Sequence, residues 1–208
     1  MIDSIIFDLD GTMWDSCESV LHVWSNISQK YGFRPLTIED IQGLMGLTIE
    51  DAGRKLFKDT FGEEKGIKIA KECAACENEY LEKQGGKLYP RLLETLAELK
   101  KKYRLFIVSN CECGYIEAFM KVHGTAEYFE DYEHCGNTGL LKDGNIRLII
   151  ERNKLKNPVY VGDTQTDKNA SALAGIPFIY AAYGFGEVDG FDAKAESFSD
   201  LPDVVKSM

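Results

Sequence analysis

"SIIFDLDGT", residues 4–12, runs a short apolar stretch straight into two carboxylates, Asp8 and Asp10. Ser4 to Phe7 has the β-branched and aromatic texture of a buried strand. In an extended chain the side chains at i and i+2 point the same way, roughly 6–7 Å apart. Two carboxylates so placed repel, and burial adds a desolvation cost. A hard divalent cation removes both difficulties. Mg²⁺ favours oxygen ligands, few protein carboxylates and a substrate phosphate. The plain alternative is a surface turn, because Asp-Gly is turn chemistry. The apolar run in front of it argues against that.

Beyond this stretch the texture changes. From residue 15 to about 84 there is little strand signal. "SVLHVWSNISQKYG" (19–32) has apolar residues at helical spacing and stops at Gly32. "TIEDIQGLMG" (37–46) and "TIEDAGRKLFKDTFG" (48–62) both open on a Thr cap and an acidic first turn. "EEKGIKIAKECAACENEYLEKQGG" (63–86) is a longer helical pattern closed by a Gly pair. Strands then resume as "RLFIVS" (104–109), "PVYVG" (158–162) and "PFIYA" (177–181), with a short one near Tyr132. Helical patterns separate them. Such alternation predicts parallel strands with right-handed crossovers. The expected architecture is α/β: a doubly wound, Rossmann-like core from residues 1–14 and 87–208, with a small α-helical cap, 15–86, inserted after the first strand.

The bulk composition sets limits. The chain has 208 residues, 44% of them hydrophobic and 28% charged, with a formal net charge of −10. That charge argues against an electrostatic hold on nucleic acid or an anionic membrane. No apolar stretch approaches the roughly 18 residues of a spanning helix. The N-terminus carries no basic region or small-residue cleavage pattern, so a cytoplasmic protein is expected. The six cysteines are then expected as reduced thiols. Cys73 and Cys76 form a CxxC, but on a helical segment without a second pair at zinc-site spacing. Oligomeric state is not legible.

Several polar clusters fall where strands end. Ser109 and Asn110 follow "RLFIV"; Asp163, Thr164 and Asp167 follow "PVYVG". Lys142 is expected in the loop before a helix. In an open α/β sheet, ligands bind beyond the carboxyl ends of the strands, so clusters distant in sequence share one site. Carboxylates, one lysine and a hydroxyl donor together describe a site for a metal and a phosphate.

"DLDGT" (8–12), "VSN" (108–110), a separate lysine and "GDTQTD" (162–167), in that order, resemble the four motifs of the haloacid dehalogenase superfamily. The helical insertion resembles the small cap of its phosphoglycolate phosphatase-like members, and the likeness covers nearly the whole chain. The resemblance implies an Mg²⁺-dependent phosphatase acting on a small phosphate ester. Asp8 is then the nucleophile and Asp10 the general acid and base, its backbone carbonyl also reaching the metal. Ser109, with backbone amides near Gly11 and Asn110, holds the phosphoryl oxygens, and Thr12 orders the turn. Lys142 offsets negative charge, Asp163 ligates Mg²⁺ beside Asp8 and Asp10, and Asp167 steadies Lys142 or the outer metal shell. Many relatives have a proline after the lysine, where Asp143 stands here. Lys154 and Lys156 are alternatives to Lys142, but they precede "PVYVGD" and so lie at the wrong end of the sheet. Trp14 is expected at the cap-side entrance. Cys111 and Cys113, directly after Asn110, are expected near the site. A mutase of the β-phosphoglucomutase type shares fold, motifs and cap. A phosphate-binding regulatory domain is the non-enzymatic alternative.

Overall fold

The computed structural model describes residues 1–208. The opening apolar run forms β1 (Ser4–Phe7), buried along its whole length. After a tight turn come β2 (Trp14–Asp15) and four helices: α1 (Cys17–Lys30), α2 (Ile38–Gln42), α3 (Ile49–Phe61) and α4 (Glu63–Gln84). The Thr37 and Thr48 side chains cap α2 and α3 by accepting the amides of Asp40 and Asp51. β3 (Lys87–Leu88) then pairs antiparallel with β2, so the chain leaves the sheet and returns to it side by side.

The alternating half follows as α5 (Leu92–Leu99), β4 (Arg104–Ser109), α6 (Tyr115–His123), β5 (Asp131–His134) and α7 (Cys135–Thr138). It continues with α8 (Lys142–Asn153), β6 (Pro158–Gly162), α9 (Gln165–Ala174), β7 (Phe178–Ala181), β8 (Ala193–Ala195) and α10 (Leu201–Lys206). Six strands form one parallel sheet in the order β5-β4-β1-β6-β7-β8. β1 is central, flanked by β4 and β6. The expected α/β architecture with a parallel, doubly wound sheet is the one observed. The short elements β2, β3, α7, β8 and α10 carry too few periodic residues to be read in advance.

Strand alternation divides the core. Ile5, Phe7, Ile107 and Val161 pack on one face with residues of α5, α6 and α10. Ile6, Phe106, Val108 and Tyr160 pack on the other, against Ile146 and Ile149 of α8 and Ala170 of α9. A third cluster draws its buried members from residues 17–74, around Trp24, Ile41, Phe57 and Ile69, with Phe185 of the sheet layer packed against it. Full burial of a side chain such as Phe57 contributes about 1.5–3 kcal/mol.

Two expectations are corrected. Trp14 is fully buried beneath the helical layer, its ring edge-on to Tyr115, Phe119 and His123, so it is core and not entrance. Lys142 is the first residue of α8, not a loop residue. Asp143 in the first turn suits the positive end of that helix, which explains a start one residue before the apolar pattern. No helix is long and apolar enough to cross a membrane.

Candidate active site

β1 runs out at Phe7, and the chain turns sharply beyond it. The amides of Thr12 and Met13 donate to Leu9 O, and that of Gly11 donates to Trp14 O at 2.9 Å. Gly11 has φ +74°, and a Cβ there would lie 2.1 Å from Asp163 Oδ2. Only glycine fits both the backbone and the space. Asp8 emerges at the strand end with 2% exposure, its amide held by Val161 O at 2.8 Å.

Three buried carboxylates meet here, with one oxygen from each of Asp8, Asp163 and Asp167 within 4.8 Å of the others. Lys142 Nζ enters from α8, 2.9 Å from Asp8 Oδ1 and 2.5 Å from Asp167 Oδ1. The ammonium is the one positive group beside Asp8 Oδ1. Burial first, then the Asp167 charge, push Asp8 up to about 7, and Lys142 pulls it back. Burial also raises Asp163 well above the carboxylate range, helped by Asp167 and Asp8. Burial opposes the charge on Lys142, but Asp167 and Asp8 outweigh it and keep the ammonium firmly protonated.

The donor set fits a hard divalent cation. One ammonium faces three buried carboxylates, which leaves an excess of buried negative charge for a cation to offset. Asp163 is braced for such a role by the amide of Phe185 at 2.8 Å and the hydroxyl of Thr12 at 3.3 Å. Asp167 is otherwise engaged. Its Oδ1 takes Lys142, while its Oδ2 accepts the amide and hydroxyl of Thr164 at 2.9 and 2.6 Å in the capping box of α9. It positions Lys142.

Asp10 points elsewhere. Its Oδ1 lies 2.6 Å from Ser16 Oγ and 2.9 Å from Tyr115 Oη. Burial pushes its carboxyl up, and those two hydroxyls pull it back. The Asp10 carboxylate is thus outside the three-carboxylate cluster, and only its backbone remains as a route to a cation.

A cavity of about 80 Å³ opens between sheet and helical layer, lined at its floor by Asp8, Asp10, Ser109 and Asn110. Gly11 and Thr12, expected to contact substrate, do not line it. The Gly11 amide is already donated to Trp14, and the Thr12 hydroxyl is turned to Asp163. Both shape the turn and hold Asp163. The Asn110 side chain reaches across the cleft, donating to Gly46 O at 2.9 Å and accepting from Cys135 Sγ at 3.0 Å. It ties the sheet to the α2–α3 loop. Cys111 lines the cavity and burial pushes its thiol well up, while Cys113 is exposed. Cys73 is buried and Cys76 exposed, and neither belongs to a metal-binding group.

Sequence reasoning missed Ser16, Tyr115, Trp24 and Glu77. Glu77 of α4 is 8% exposed, accepts the indole N–H of Trp24 and lines the cavity. Burial pushes its carboxyl up to about 8, against the pull of Trp24. Gly184 was also silent in sequence, yet a Cβ there would lie 2.3 Å from Asp163 Cβ. No local pattern marks these residues; each matters through a partner distant in sequence.

A doubly wound parallel sheet with a carboxylate–lysine centre at its strand ends, overlaid by the helices that follow its first strand, is an α/β fold with its polar centre where such sheets bind ligands. The haloacid dehalogenase-like hydrolase model matches residues 5–181, and the chain belongs to that family. It is 25% identical to a phosphoglycolate phosphatase of Rhodobacter capsulatus, covering 99% of this chain and 98% of that one. It is 27% identical to one of Photobacterium profundum, covering 99% and 96%. Within the family its relatives are therefore phosphatases, enzymes that hydrolyse phosphoric monoesters. Among solved structures, a predicted phosphatase from Clostridium acetobutylicum superposes with TM-score 0.86 at 20% identity over the whole of both chains. A haloacid dehalogenase-like hydrolase from Streptococcus pneumoniae gives 0.84 at 21% identity over 97% of each.

Proposed function

We propose that this phosphatase hydrolyses a small phosphate monoester through a phosphoryl group carried transiently on Asp8. An Asp8 oxygen attacks phosphorus, and the bond from phosphorus to the alcohol oxygen breaks. Asp10 gives its proton to that departing oxygen. Asp10, now ionised, takes a proton from water. The resulting hydroxide attacks phosphorus and releases inorganic phosphate, restoring Asp8. A carboxyl raised by burial suits the first role, and bonds from Ser16 and Tyr115 suit the second by stabilising the ionised form. Ser109, at the end of β4, faces the same cavity and is placed to donate to the phosphoryl oxygens. Lys142 offsets the charge that accumulates on Asp8 and phosphorus.

Asp8, Asp163 and the Asp10 backbone carbonyl would hold Mg²⁺, which when bound supplies positive charge to the phosphoryl oxygens. Residues 15–86 serve as the cap, with the β2–β3 ribbon as its crossing point. Its phosphoglycolate phosphatase relatives make 2-phosphoglycolate the reference ester.

The observation that carries this reading is the setting of Asp8: buried at a strand end, ion-paired with Lys142, with an open cavity before it. The test is steady release of inorganic phosphate from 4-nitrophenyl phosphate with Mg²⁺. Asp8→Asn should abolish it with little change in fold. Asp10→Asn should be nearly as severe, with phosphorylated protein accumulating on this good leaving group. Wild-type rates in Asp8→Asn would end the covalent mechanism. Steady phosphate release also separates a hydrolase from a mutase and from a phosphate-holding switch.

A further inference from the structure

Above Asp8 the cavity has a character that the phosphoryl end does not explain. Its upper wall is apolar, built from Val20, Trp24, Ile41, Leu44, Met45 and Leu47. Two acids interrupt it, Glu77 from α4 and Glu112 from the turn after β4. No lysine, arginine or histidine lines it. Lys142 is buried below and bound to Asp8 and Asp167, so its charge serves the phosphoryl end. Lys71, whose charge reaches Glu112, is paired with Glu50 at 2.7 Å and its side chain is 54% exposed, outside the lining.

This matters for what can leave. A carboxylate or second phosphate taken from water into an apolar wall must find a cation or lose its hydration uncompensated. Sites that hold such groups supply arginine or lysine. Glu77 cannot substitute. Ionised, it repels an anion; protonated, it offers one neutral donor. In neither state does it bring positive charge. The cavity is also small. Its 80 Å³ is well below the roughly 300 Å³ at the low end for drug-sized ligands.

Resting on the phosphatase reading, we infer that this cavity selects phosphate monoesters whose alcohol part is short, mainly apolar and free of a second negative charge. Esters carrying a carboxylate or a second phosphate are poor substrates. The chain thus departs from the substrate that its curated relatives are named for.

A pair of esters alike in size but different in charge tests this. 2-Phosphoglycolate carries a carboxylate; carbamoylmethyl phosphate replaces it with an uncharged amide. In the wild-type protein, with Mg²⁺, kcat/KM should favour the amide by at least about tenfold, since a second negative charge finds no cation in the wall to offset its lost hydration. Met45→Lys places an ammonium on an unbranched side chain in the wall. It should move the ratio toward the acid by a similar factor. A wild-type preference for the acid, or equal use of both, overturns the inference while leaving the phosphatase reading intact. So does a wild-type ratio in Met45→Lys protein whose circular dichroism is native. Failure to release phosphate from either ester or from 4-nitrophenyl phosphate overturns both readings together.

Discussion

Lys142 is among the largest fully buried side chains of the protein, and it faces Asp8 and Asp167 at once. Removing one partner from such a group is far costlier than exchanging the whole set, because the remaining charges stay buried. Lys142→Met keeps the length and removes the ammonium. It should destabilise the fold by about 3–5 kcal/mol near pH 8. The loss should shrink toward pH 5. Without Lys142 the Asp8 carboxyl rises further above about 7; the unfolded chain is the same in both proteins, so the loss relative to wild type is felt above about pH 7 and fades below it, where Asp8 is protonated in both. Urea denaturation of both proteins at pH 5 and pH 8 measures it; a loss equal at both values would contradict the ion-pair account. Phosphatase turnover should fall at both.

Helix α4 spans from the helical layer to the sheet layer. Its outer end lies on α3, and farther along Asn78 donates to Cys113 O at 2.6 Å beside α6. Glu77 sits on the buried side of that span, where a hydrophobic side chain would be cheaper. Its raised carboxyl has a consequence with a definite sign. The unfolded chain ionises Glu77 above about 4.5, while the folded protein resists until about 8. Stability from this group is therefore intact below pH 4.5, declines between 4.5 and 8, and is flat beyond. Glu77→Gln retains an acceptor for the Trp24 N–H and has no proton to lose. It should be more stable than wild type at pH 8, by on the order of a few kcal/mol, and nearly equal at pH 4.5. Thermal unfolding across that range decides it. A variant less stable than wild type at pH 8 would mean that Glu77 is held ionised by a partner.

A cation held as proposed would belong to the whole molecule, because Asp8 and Asp163 come from the ends of β1 and β6 and meet only in the folded state. A ligand that binds the native state alone stabilises it by about 2.7 kcal/mol at a hundredfold excess over Kd. Mg²⁺ should raise the melting temperature by several degrees in a chain of this size, and EDTA should return it. Asp163→Ala should abolish that shift. Asp167→Ala should lower the melting temperature, by leaving Lys142 with one partner fewer, yet keep most of the Mg²⁺ shift. Equal loss of the shift in both variants would move Asp167 into the coordination sphere. Full activity after dialysis against EDTA would remove the metal from the proposal.

The sequence by itself determined the parallel α/β sheet, the helical insertion after its first strand, and the residues that converge at its carboxyl edge. Those properties are local. Burial is written in the apolar runs, helix starts in Thr37 and Thr48, and the site in polar residues placed where a strand must end. Tertiary structure decided what those residues do to one another. Asp10 turns to Ser16 and Tyr115, Thr12 to Asp163 and Asn110 to Gly46, because each finds its hydrogen-bond partner only after the layers close. Trp14 follows the same logic: a lone aromatic beside a motif gives no sign of the Tyr115, Phe119 and His123 rings that bury it. The apolar, cation-free wall around Glu77 is likewise a property of α1, α2 and α4 packed together. A strand's two-residue period can say that Asp8 and Asp10 share a side; only the packed layers supply the partners that part them.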